Sequence, residues 1–417
     1  MNRRRFVLGM PALAAALALA RRTMAESPAP PARPDSARAP APQDSAAAPA
    51  MPEGAAAVAP PAPPSVTLAA AGDTTLGYNL QAHLDEQLAT GVAQESLWPL
   101  YFGGVRGVLA AADLSLVNLE CPFTTAGKKL PKNFNFSARP ELVEILKAGG
   151  VGAVTLANNH LMDYGGPGLV ETLATLRDAG IAAFGAGEDL ARARRPLVLE
   201  RNGLSLAFLG YYFQAPPDML EPKAVYATRK KPGVAGCYRS IQCMRRMLDQ
   251  DLESLVPAVD AAIVYFHWGR EGSYEVQDYQ VELAHRAVDL GCKAVLGAHP
   301  HRLQGVEVYR GAPVFYSLGN FVFGGNKDPQ DKLSAIARLR LTREGVAEAD
   351  LVPIQITRWP EAPFQPFVLE GAARDRALAR LAGLSRGFSA TLPQLAGYDE
   401  LLPAAPAAGD STSGWQR

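Results

Sequence analysis

Short apolar runs alternate with amphipathic segments along most of the chain after Ser65. Runs such as VTLAAAG and AAIVYFHWG have the length and composition of buried β-strands. Segments between them, such as DYQVELAHRAVDLG, repeat apolar residues at the spacing of a helix that packs one face on a core. Strands that alternate with amphipathic helices predict an α/β domain.

The same pattern predicts where individual elements lie. A mostly helical stretch covers residues 79–112, a strand LSLVNLE ends at Glu120, and a helix covers 140–149. The runs VGAVTLANNH and PVFYSLGNFVF each predict one further strand, and SAIARLRLT with EADLVPIQI predicts an antiparallel pair that closes a sheet. The main domain is expected over 65–372, followed over 373–417 by a short helix and a weakly ordered tail.

The first part of the chain differs from this domain. Arg3 and Arg4 precede an apolar stretch that ends at Ala20, a pattern typical of a twin-arginine export signal. That stretch is shorter than the roughly 20 strongly apolar residues of a membrane-spanning helix. We expect a signal peptide over 1–25 or, alternatively, an uncleaved anchor; both put the domain outside the cytoplasm, in the periplasm or at the cell envelope. The Ala- and Pro-rich segment 26–64 predicts a disordered linker.

Composition narrows the possible partners and the compartment. The 41 basic and 41 acidic residues cancel, so charge gives no reason to expect nucleic acid or an anionic membrane as the main partner. Cys237 and Cys243 lie six residues apart in a polar segment and either form a disulfide in an oxidising compartment or stay reduced. Cys121 and Cys292 lie in apolar segments, which predicts buried thiols.

Metal-binding residue types stand at the ends of five predicted strands. The residues are Asp73, Glu120, Asn159 with His160, His267, and His299 with His301. In open α/β sheets, ligand sites form at the carboxyl ends of strands, where several rigid elements converge. His299 and His301 flank Pro300 and would point to the same side if the backbone stays extended. The set predicts a metal site, and its mixture of nitrogen and oxygen ligands favours Mn, Fe or Zn.

Six segments occur in a fixed order between residues 66 and 325: AAGDTTLG, VNLECPFT, LANNHLMDYG, FHWGREGSYE, GAHPHRLQGVE and YSLGNFVF. Their order and spacing resemble those of the capsule-synthesis CapA family, which is associated with the formation of poly-γ-glutamate capsules. That family is similar in turn to the calcineurin-like metallophosphoesterases. The resemblance implies an α/β fold of the four-layer αββα sandwich type, with two divalent metal ions.

The resemblance also implies a role for each candidate residue. Six would bind metal: Asp73 and His301 the first ion, Asn159, His267 and His299 the second, and Glu120 both ions as a bridge. His160 would be the general acid beside the leaving group. The chain departs from the superfamily pattern at two positions. Thr75 stands where the superfamily has a histidine, and the bridging carboxylate is a glutamate instead of an aspartate.

Four further residues are candidates for substrate binding or for support of the metal ligands, and each has a structural alternative. The residues are Asn158, Asp163, Glu271 and Asn320. Asn158 either supports His160 or satisfies a turn, and Asp163 either supports His160 or caps the following helix. Glu271 faces either substrate or solvent. Asn320 either borders the pocket or is a turn residue.

Two functions compete at this point. One is an exported metal-dependent hydrolase of the CapA type, acting on poly-γ-glutamate, another polyanionic envelope polymer or a phosphoester. The other is a non-catalytic factor for polymer assembly or export, working with membrane-bound capsule synthesis proteins. Thr75 favours the second function, because the first metal would have one imidazole fewer than in the superfamily. A third class, a periplasmic binding protein, leaves the paired histidines at one strand end unexplained.

Overall fold

The computed structural model describes residues 63–218 and 221–396. The predicted signal peptide, nearly all of the predicted linker and the end of the predicted tail lie outside these residues. The strands of the described residues are β1 Val66–Thr75, β2 Leu114–Leu119, β3 Ala153–Thr155, β4 Ala182–Phe184, β5 Ala186–Gly187, β6 Leu197–Arg201, β7 Leu204–Phe213, β8 Gly233–Val234, β9 Ala261–Trp268, β10 Ala294–Ala298, β11 Val306–Tyr309, β12 Ala312–Phe315, β13 Asn320–Phe323, β14 Leu333–Leu341, β15 Val346–Gln355 and β16 Phe367–Val368.

The α-helices of the same residues are α1 Asn79–Ala89, α2 Gln94–Leu97, α3 Arg106–Ala110, α4 Val143–Gly149, α5 Gly165–Asp178, α6 Leu190–Ala193, α7 Ile241–Leu255, α8 Asp278–Asp289 and α9 Gly371–Ser385. Helix α8 shows how the sequence pattern forms an element. Gln277 and Gln280 form a reciprocal capping box at its start, and Leu283, Ala284 and Ala287 form its buried face. None of the described helices has the length and apolar composition that a membrane span needs.

The strands form two large sheets. One has eight strands in the order β16-β15-β14-β1-β2-β3-β4, with β13 pairing with β1 beside this path. The other has six strands in the order β11-β12-β10-β9-β7-β6. Strands β1 to β4 run parallel, as do β7, β9, β10 and β12, so their carboxyl ends collect at one edge of each sheet. The predicted antiparallel closing pair is confirmed as β14 and β15.

Alternate side chains of the central strands enter different cores, which defines the layers. Leu68 of β1 packs in a central core with residues of the other sheet such as Ile263. Its neighbour Ala69 faces the opposite way, into a core shared with α1, α4 and α5. Val264 of β9 faces α7 and α8 in a third core. Helices therefore cover the outer face of each of two stacked sheets, and the predicted four-layer αββα sandwich is confirmed.

The run PVFYSLGNFVF differs from its prediction as one strand. It divides into β12 and β13, which belong to different sheets. The chain crosses between the sheets at Gly319, whose φ is 72° and whose carbonyl oxygen accepts a hydrogen bond from the Asp73 amide at 2.9 Å. A Cβ atom on Gly72 would lie 1.8 Å from the same carbonyl oxygen, so only glycine fits there. This crossing brings Asn320 into register with Asp73.

Two further sequence expectations are resolved by the fold. Helix α9 coincides with the short helix predicted at the start of 373–417, and its Leu378 and Leu381 are buried in the central core between the sheets. A disulfide joins Cys237 to Cys243, while Cys121 and Cys292 are free and buried.

Candidate metal centre

The carboxyl ends of the parallel strands meet where the two sheets pack together. The eight-stranded sheet supplies Asp73 from β1 and Glu120, which directly follows β2. The six-stranded sheet supplies His267 from β9 and His299, which directly follows β10. All four side chains are buried. Asn159 and His301 lie in the loops after β3 and β10 and complete the cluster.

One group of candidate ligand atoms lies close together around His267 Nε2. We call it the histidine-rich position, and it consists of Glu120, His267, His299 and Asn159. The His267 Nε2 atom lies 2.8 Å from Asn159 Oδ1, 3.0 Å from His299 Nδ1 and 3.4 Å from Glu120 Oε1. Zinc–nitrogen bonds of about 2.0–2.1 Å place tetrahedral ligand atoms about 3.4 Å apart. These atoms are therefore spaced as the ligands of one ion.

A second group, which we call the carboxylate-rich position, consists of Asp73, Glu120 and His301. His301 Nδ1 lies 3.2 Å from Asp73 Oδ2, and His301 Nε2 lies 3.9 Å from Glu120 Oε1. Asn320 Oδ1 lies 2.8 Å from His301 Nδ1. Glu120 belongs to both groups.

The environment of Glu120 tests whether these residues fit a cation. Its side chain is fully buried, and neither carboxylate oxygen has a hydrogen-bond partner among the described residues. Burial raises the pKa of Glu120, and the neighbouring Asp73 carboxylate raises it further. A buried carboxylate without a partner costs several kcal/mol, which a coordinated cation would offset. The donor set thus fits a divalent ion.

The two positions differ in the protonation of their imidazoles. Burial lowers the pKa of His299 well below its usual value, and the charges of His267 and His301 lower it further, so His299 is neutral and ready to bind metal. Burial also acts to lower the pKa of His301, but the Glu120 and Asp73 carboxylates outweigh it and raise the pKa to about 10. Without metal, the carboxylate-rich position therefore holds a proton.

The loop after β10 reaches the centre through an unusual backbone. We expected an extended chain at His299 and His301, and this prediction is wrong: their φ angles are 105° and 54°. Positive φ at a non-glycine residue costs about 1–3 kcal/mol and persists only where surrounding contacts hold it. One such contact is the hydrogen bond of 3.2 Å from the His299 amide to Asp73 Oδ2. The turn directs His299 to one position and His301 to the other.

His160 lies beside the ligands and is held by Asp163. Its Nδ1 atom is 2.7 Å from Asp163 Oδ2, and its ring packs against Phe136 at 4.3 Å. Asp163 also accepts a hydrogen bond from the Phe136 amide and pairs with Lys132 at 2.7 Å. Helix α5 begins after Tyr164 without a side-chain cap, so Asp163 supports His160 and does not cap the helix. Burial lowers the pKa of His160, and the Lys132 charge lowers it further.

Asn158 satisfies the turn that presents His160. Its Oδ1 atom accepts hydrogen bonds from the amides of His160 and Leu161, and its Nδ2 atom donates to Asn118 and to the Leu119 carbonyl. Both alternatives for this residue therefore hold at once, because the turn that it closes is the one that carries His160.

Several residues at the centre were missed by the sequence analysis. Asn118 donates to Asp73 Oδ1 at 2.8 Å, and Gln214 lies 2.6 Å from His299 Nε2 while also donating to the Gly269 carbonyl. Both had a signal: Asn118 lies in β2, two residues before Glu120, and Gln214 directly follows β7. Lys132 and Glu221 form a partly buried ion pair at 3.0 Å beside Asn159. They lie in irregular segments, where no periodicity marks them.

Comparison with known proteins shows the family to which the chain belongs. Residues 67–325 match the family described as "Bacterial capsule synthesis protein PGA_cap". The chain belongs to this capsule synthesis family. It is 31% identical over 320 residues to "PGA biosynthesis protein CapA" of Bacillus subtilis, covering 74% of this chain and 76% of that protein. It is also 31% identical over 266 residues to "Capsule biosynthesis protein CapA" of Bacillus anthracis, covering 63% and 62%. The chain thus spans less than two thirds of the length of the latter relative.

Solved structures are more distant than these relatives. A hypothetical protein from Thermus thermophilus is 17% identical with a TM-score of 0.42, covering 69% of this chain and 99% of that chain. The fold assignment therefore rests on the packing of the four layers, and the family assignment rests on the sequence.

The departure at Thr75 is now clear in structural terms. Because residue 75 is a threonine, β1 supplies no imidazole to the carboxylate-rich position. The Thr75 hydroxyl donates instead to the Glu120 carbonyl at 3.3 Å. Asn320 is buried against His301 and so does more than form a turn. Glu271 is exposed, and its charge contributes to the raised pKa of His301.

Proposed function

We propose that the protein is an exported, metal-dependent hydrolase of capsule or envelope-polymer biosynthesis. It would bind two divalent transition metal ions (Mn, Fe or Zn) and act on poly-γ-glutamate, a related polyanionic polymer or a phosphoester. The observation that carries the proposal is the buried Glu120 carboxylate, which has no hydrogen-bond partner among the described residues and is shared by two groups of ligands. Capsule chemistry enters through the family to which the chain belongs.

The grouping of the candidate ligands supports metal-assisted hydrolysis. Two ions so placed would supply a hydroxide nucleophile and neutralise negative charge on the substrate. His160 would transfer a proton: its Nδ1 is bonded to Asp163, so Nε2 is the ring nitrogen left to protonate a leaving group. Asp163 and Lys132 would keep the ring oriented.

Two features support export. The twin-arginine pattern at Arg3 and Arg4 is typical of proteins that leave the cytoplasm, although it lies outside the described residues. The disulfide between Cys237 and Cys243 is of a kind that persists in oxidising compartments.

One observation favours the alternative function, a non-catalytic factor for polymer assembly or export that works with membrane-bound capsule synthesis proteins. Thr75 provides no imidazole, and the carboxylate-rich position has a His301 that retains its proton in the absence of metal. A weak position of this kind would suit a role in which the metal stabilises the fold or binds polymer carboxylates.

The deciding experiment measures metal content and hydrolysis in the same full-length preparations. Wild type and His160→Ala are expected to contain about two metals per chain, and only wild type should shorten poly-γ-glutamate or cleave an aryl phosphate ester. His83→Ala is the matched control, since His83 lies in α1 and its ring packs on Phe364 away from the ligands. Metal-loaded wild type that cleaves neither substrate, together with a capsule defect that His160→Ala still rescues, would establish the alternative.

A further inference from the structure

At the carboxylate-rich position, the side chain of Asn320 lies beside His301, and none of the relatives named above assigns it a role. We infer that the amide oxygen of Asn320 is the fourth protein ligand of this position, beside Asp73, Glu120 and His301. This inference rests on the proposed two-metal function, which it deepens by giving the two positions different metal preferences.

The first argument is the likeness of the two positions. At the histidine-rich position, the amide oxygen of Asn159 lies 2.8 Å from the imidazole nitrogen of His267. At the carboxylate-rich position, the amide oxygen of Asn320 lies 2.8 Å from the imidazole nitrogen of His301. Both asparagines are buried. Each position therefore has one asparagine amide oxygen 2.8 Å from an imidazole nitrogen, His267 Nε2 in one and His301 Nδ1 in the other.

The second argument is that the backbone fixes Asn320 in this place. Asn320 begins β13 and is the register partner of Asp73 in β1. The crossing at Gly319, with its hydrogen bond to the Asp73 amide, holds the two strands together just before this pair. The amide is therefore positioned by paired strands, which are rigid enough to hold a metal ligand.

The third argument is the need for a ligand at this position. The hydroxyl of Thr75 is turned to the Glu120 carbonyl, which leaves three acidic and imidazole ligands among the described residues. Adding Asn320 gives three oxygen donors and one nitrogen donor, a set that suits Mn²⁺. The histidine-rich position has two imidazoles and suits Zn²⁺ or iron. We expect the two positions to prefer different ions.

The competing role for Asn320 is to accept a hydrogen bond from His301 and orient its ring without touching the ion. The two roles differ in one measurable distance. In a crystal structure of the full protein soaked with Mn²⁺, with the ion located by anomalous scattering, a ligand role places Asn320 Oδ1 within about 2.5 Å of the ion. A distance beyond about 3 Å would overturn the inference.

Metal titration of variants gives a second, independent readout. Mn²⁺ and Zn²⁺ are titrated separately into metal-free wild type, Asn320→Ala and Asn320→Asp; free Mn²⁺ is followed by electron paramagnetic resonance and Zn²⁺ binding by calorimetry. Asn320→Ala should weaken one Mn²⁺ site at least tenfold and leave Zn²⁺ binding at the other position unchanged, whereas Asn320→Asp should keep or strengthen it. Asn326→Ala is the control, because Asn326 lies in the loop after β13 and accepts a hydrogen bond from the Asp328 amide.

The outcomes separate this inference from the proposed function. Wild type that binds neither Mn²⁺ nor Zn²⁺ would remove both. Wild type that binds two ions while Asn320→Ala keeps both affinities would remove only the inference. If Asn320→Ala does not fold, the distance in the wild-type crystal still decides the question.

Discussion

The histidine-rich and carboxylate-rich positions share Glu120 but are built differently. In the first, ligand atoms lie 2.8 to 3.4 Å from His267 Nε2, and His299 is neutral because burial lowers its pKa. In the second, the distances between acidic and imidazole ligands are 3.2 and 3.9 Å. The carboxylates raise the pKa of His301 to about 10, so it is protonated at neutral pH. The first position is therefore prepared for a metal ion, while the second must lose a proton before an ion binds.

The origin of the ligands explains this difference. The six-stranded sheet supplies two imidazoles to the histidine-rich position, whereas the eight-stranded sheet supplies the carboxylates. The centre exists only where the two sheets pack, so the fold and the metal site depend on the same interface. Predicted affinities follow from this comparison: tight binding at the histidine-rich position, and weaker, pH-dependent binding at the carboxylate-rich position.

The largest effect is expected from Glu120→Gln, because it removes the shared charge. Both positions should lose at least about 100-fold in metal affinity, measured by mass spectrometry of metal content and by calorimetric titration. The metal-free variant should be more stable to urea than metal-free wild type by about 1–3 kcal/mol, since a buried carboxylate without a hydrogen-bond partner is gone.

Glu307→Gln is the matched control for this charge removal. Glu307 is a buried carboxylate outside the centre that bonds to the Tyr316 hydroxyl at 2.7 Å and to His285 at 2.9 Å. The same substitution there should lower stability and leave metal content unchanged. Two metals retained in Glu120→Gln would show that this carboxylate is not the bridge.

The next effect separates the two positions. His299→Ala should abolish binding at the histidine-rich position and leave about one ion per chain, preferentially Mn²⁺. His301→Ala should abolish binding at the carboxylate-rich position and leave about one ion, preferentially Zn²⁺. Metal content of both variants after equilibration with equal Mn²⁺ and Zn²⁺ measures this directly. Loss of both ions in either variant would mean that the positions are not separable.

A smaller effect is expected from pH. Metal at the carboxylate-rich position must displace the proton of His301, whose raised pKa of about 10 keeps it charged at neutral pH. Below that pKa, affinity should therefore rise about tenfold for each unit of increasing pH through this proton alone. His299 is already neutral, so the histidine-rich position should depend less steeply on pH between 7 and about 9. Calorimetric titrations across this range would contradict the comparison if both positions had equal slopes.

The sequence predicted the fold class and most residues of the candidate centre, but not the backbone turn that carries two of those residues. Apolar strands that end in Asp73, Glu120 or His267 predict both the sheets and a ligand cluster, because strand ends converge in any α/β sheet. The turn at His299 and His301 was not predictable, since positive φ at non-glycine residues arises from contacts elsewhere in the chain.

The pairing of Asn320 with Asp73 was likewise hidden from the sequence. The run PVFYSLGNFVF gives no sign that its two halves enter different sheets, and that crossing is what sets Asn320 beside Asp73. Pairing between distant strands depends on the whole packing of the domain, whereas apolar periodicity is local. Local pattern thus identified the elements and most residues of the candidate centre, but not the contacts that link one element to another.

The smallest effect concerns Gln214, which touches only one of the two positions among the contacts described. Its side-chain amide lies 2.6 Å from His299 Nε2 and is held in turn by the Gly269 carbonyl and the Tyr212 hydroxyl. Gln214→Leu should weaken metal binding at the histidine-rich position about 10-fold, the lower end of effects from residues that orient metal ligands. Binding at the carboxylate-rich position should not change.

Gln304→Leu controls for general destabilisation. It removes a buried glutamine that bonds to Gln280 and to the Ser273 and Glu275 carbonyls. Equal losses at both positions, or in both variants, would mean that Gln214 supports the fold as a whole and not the orientation of His299.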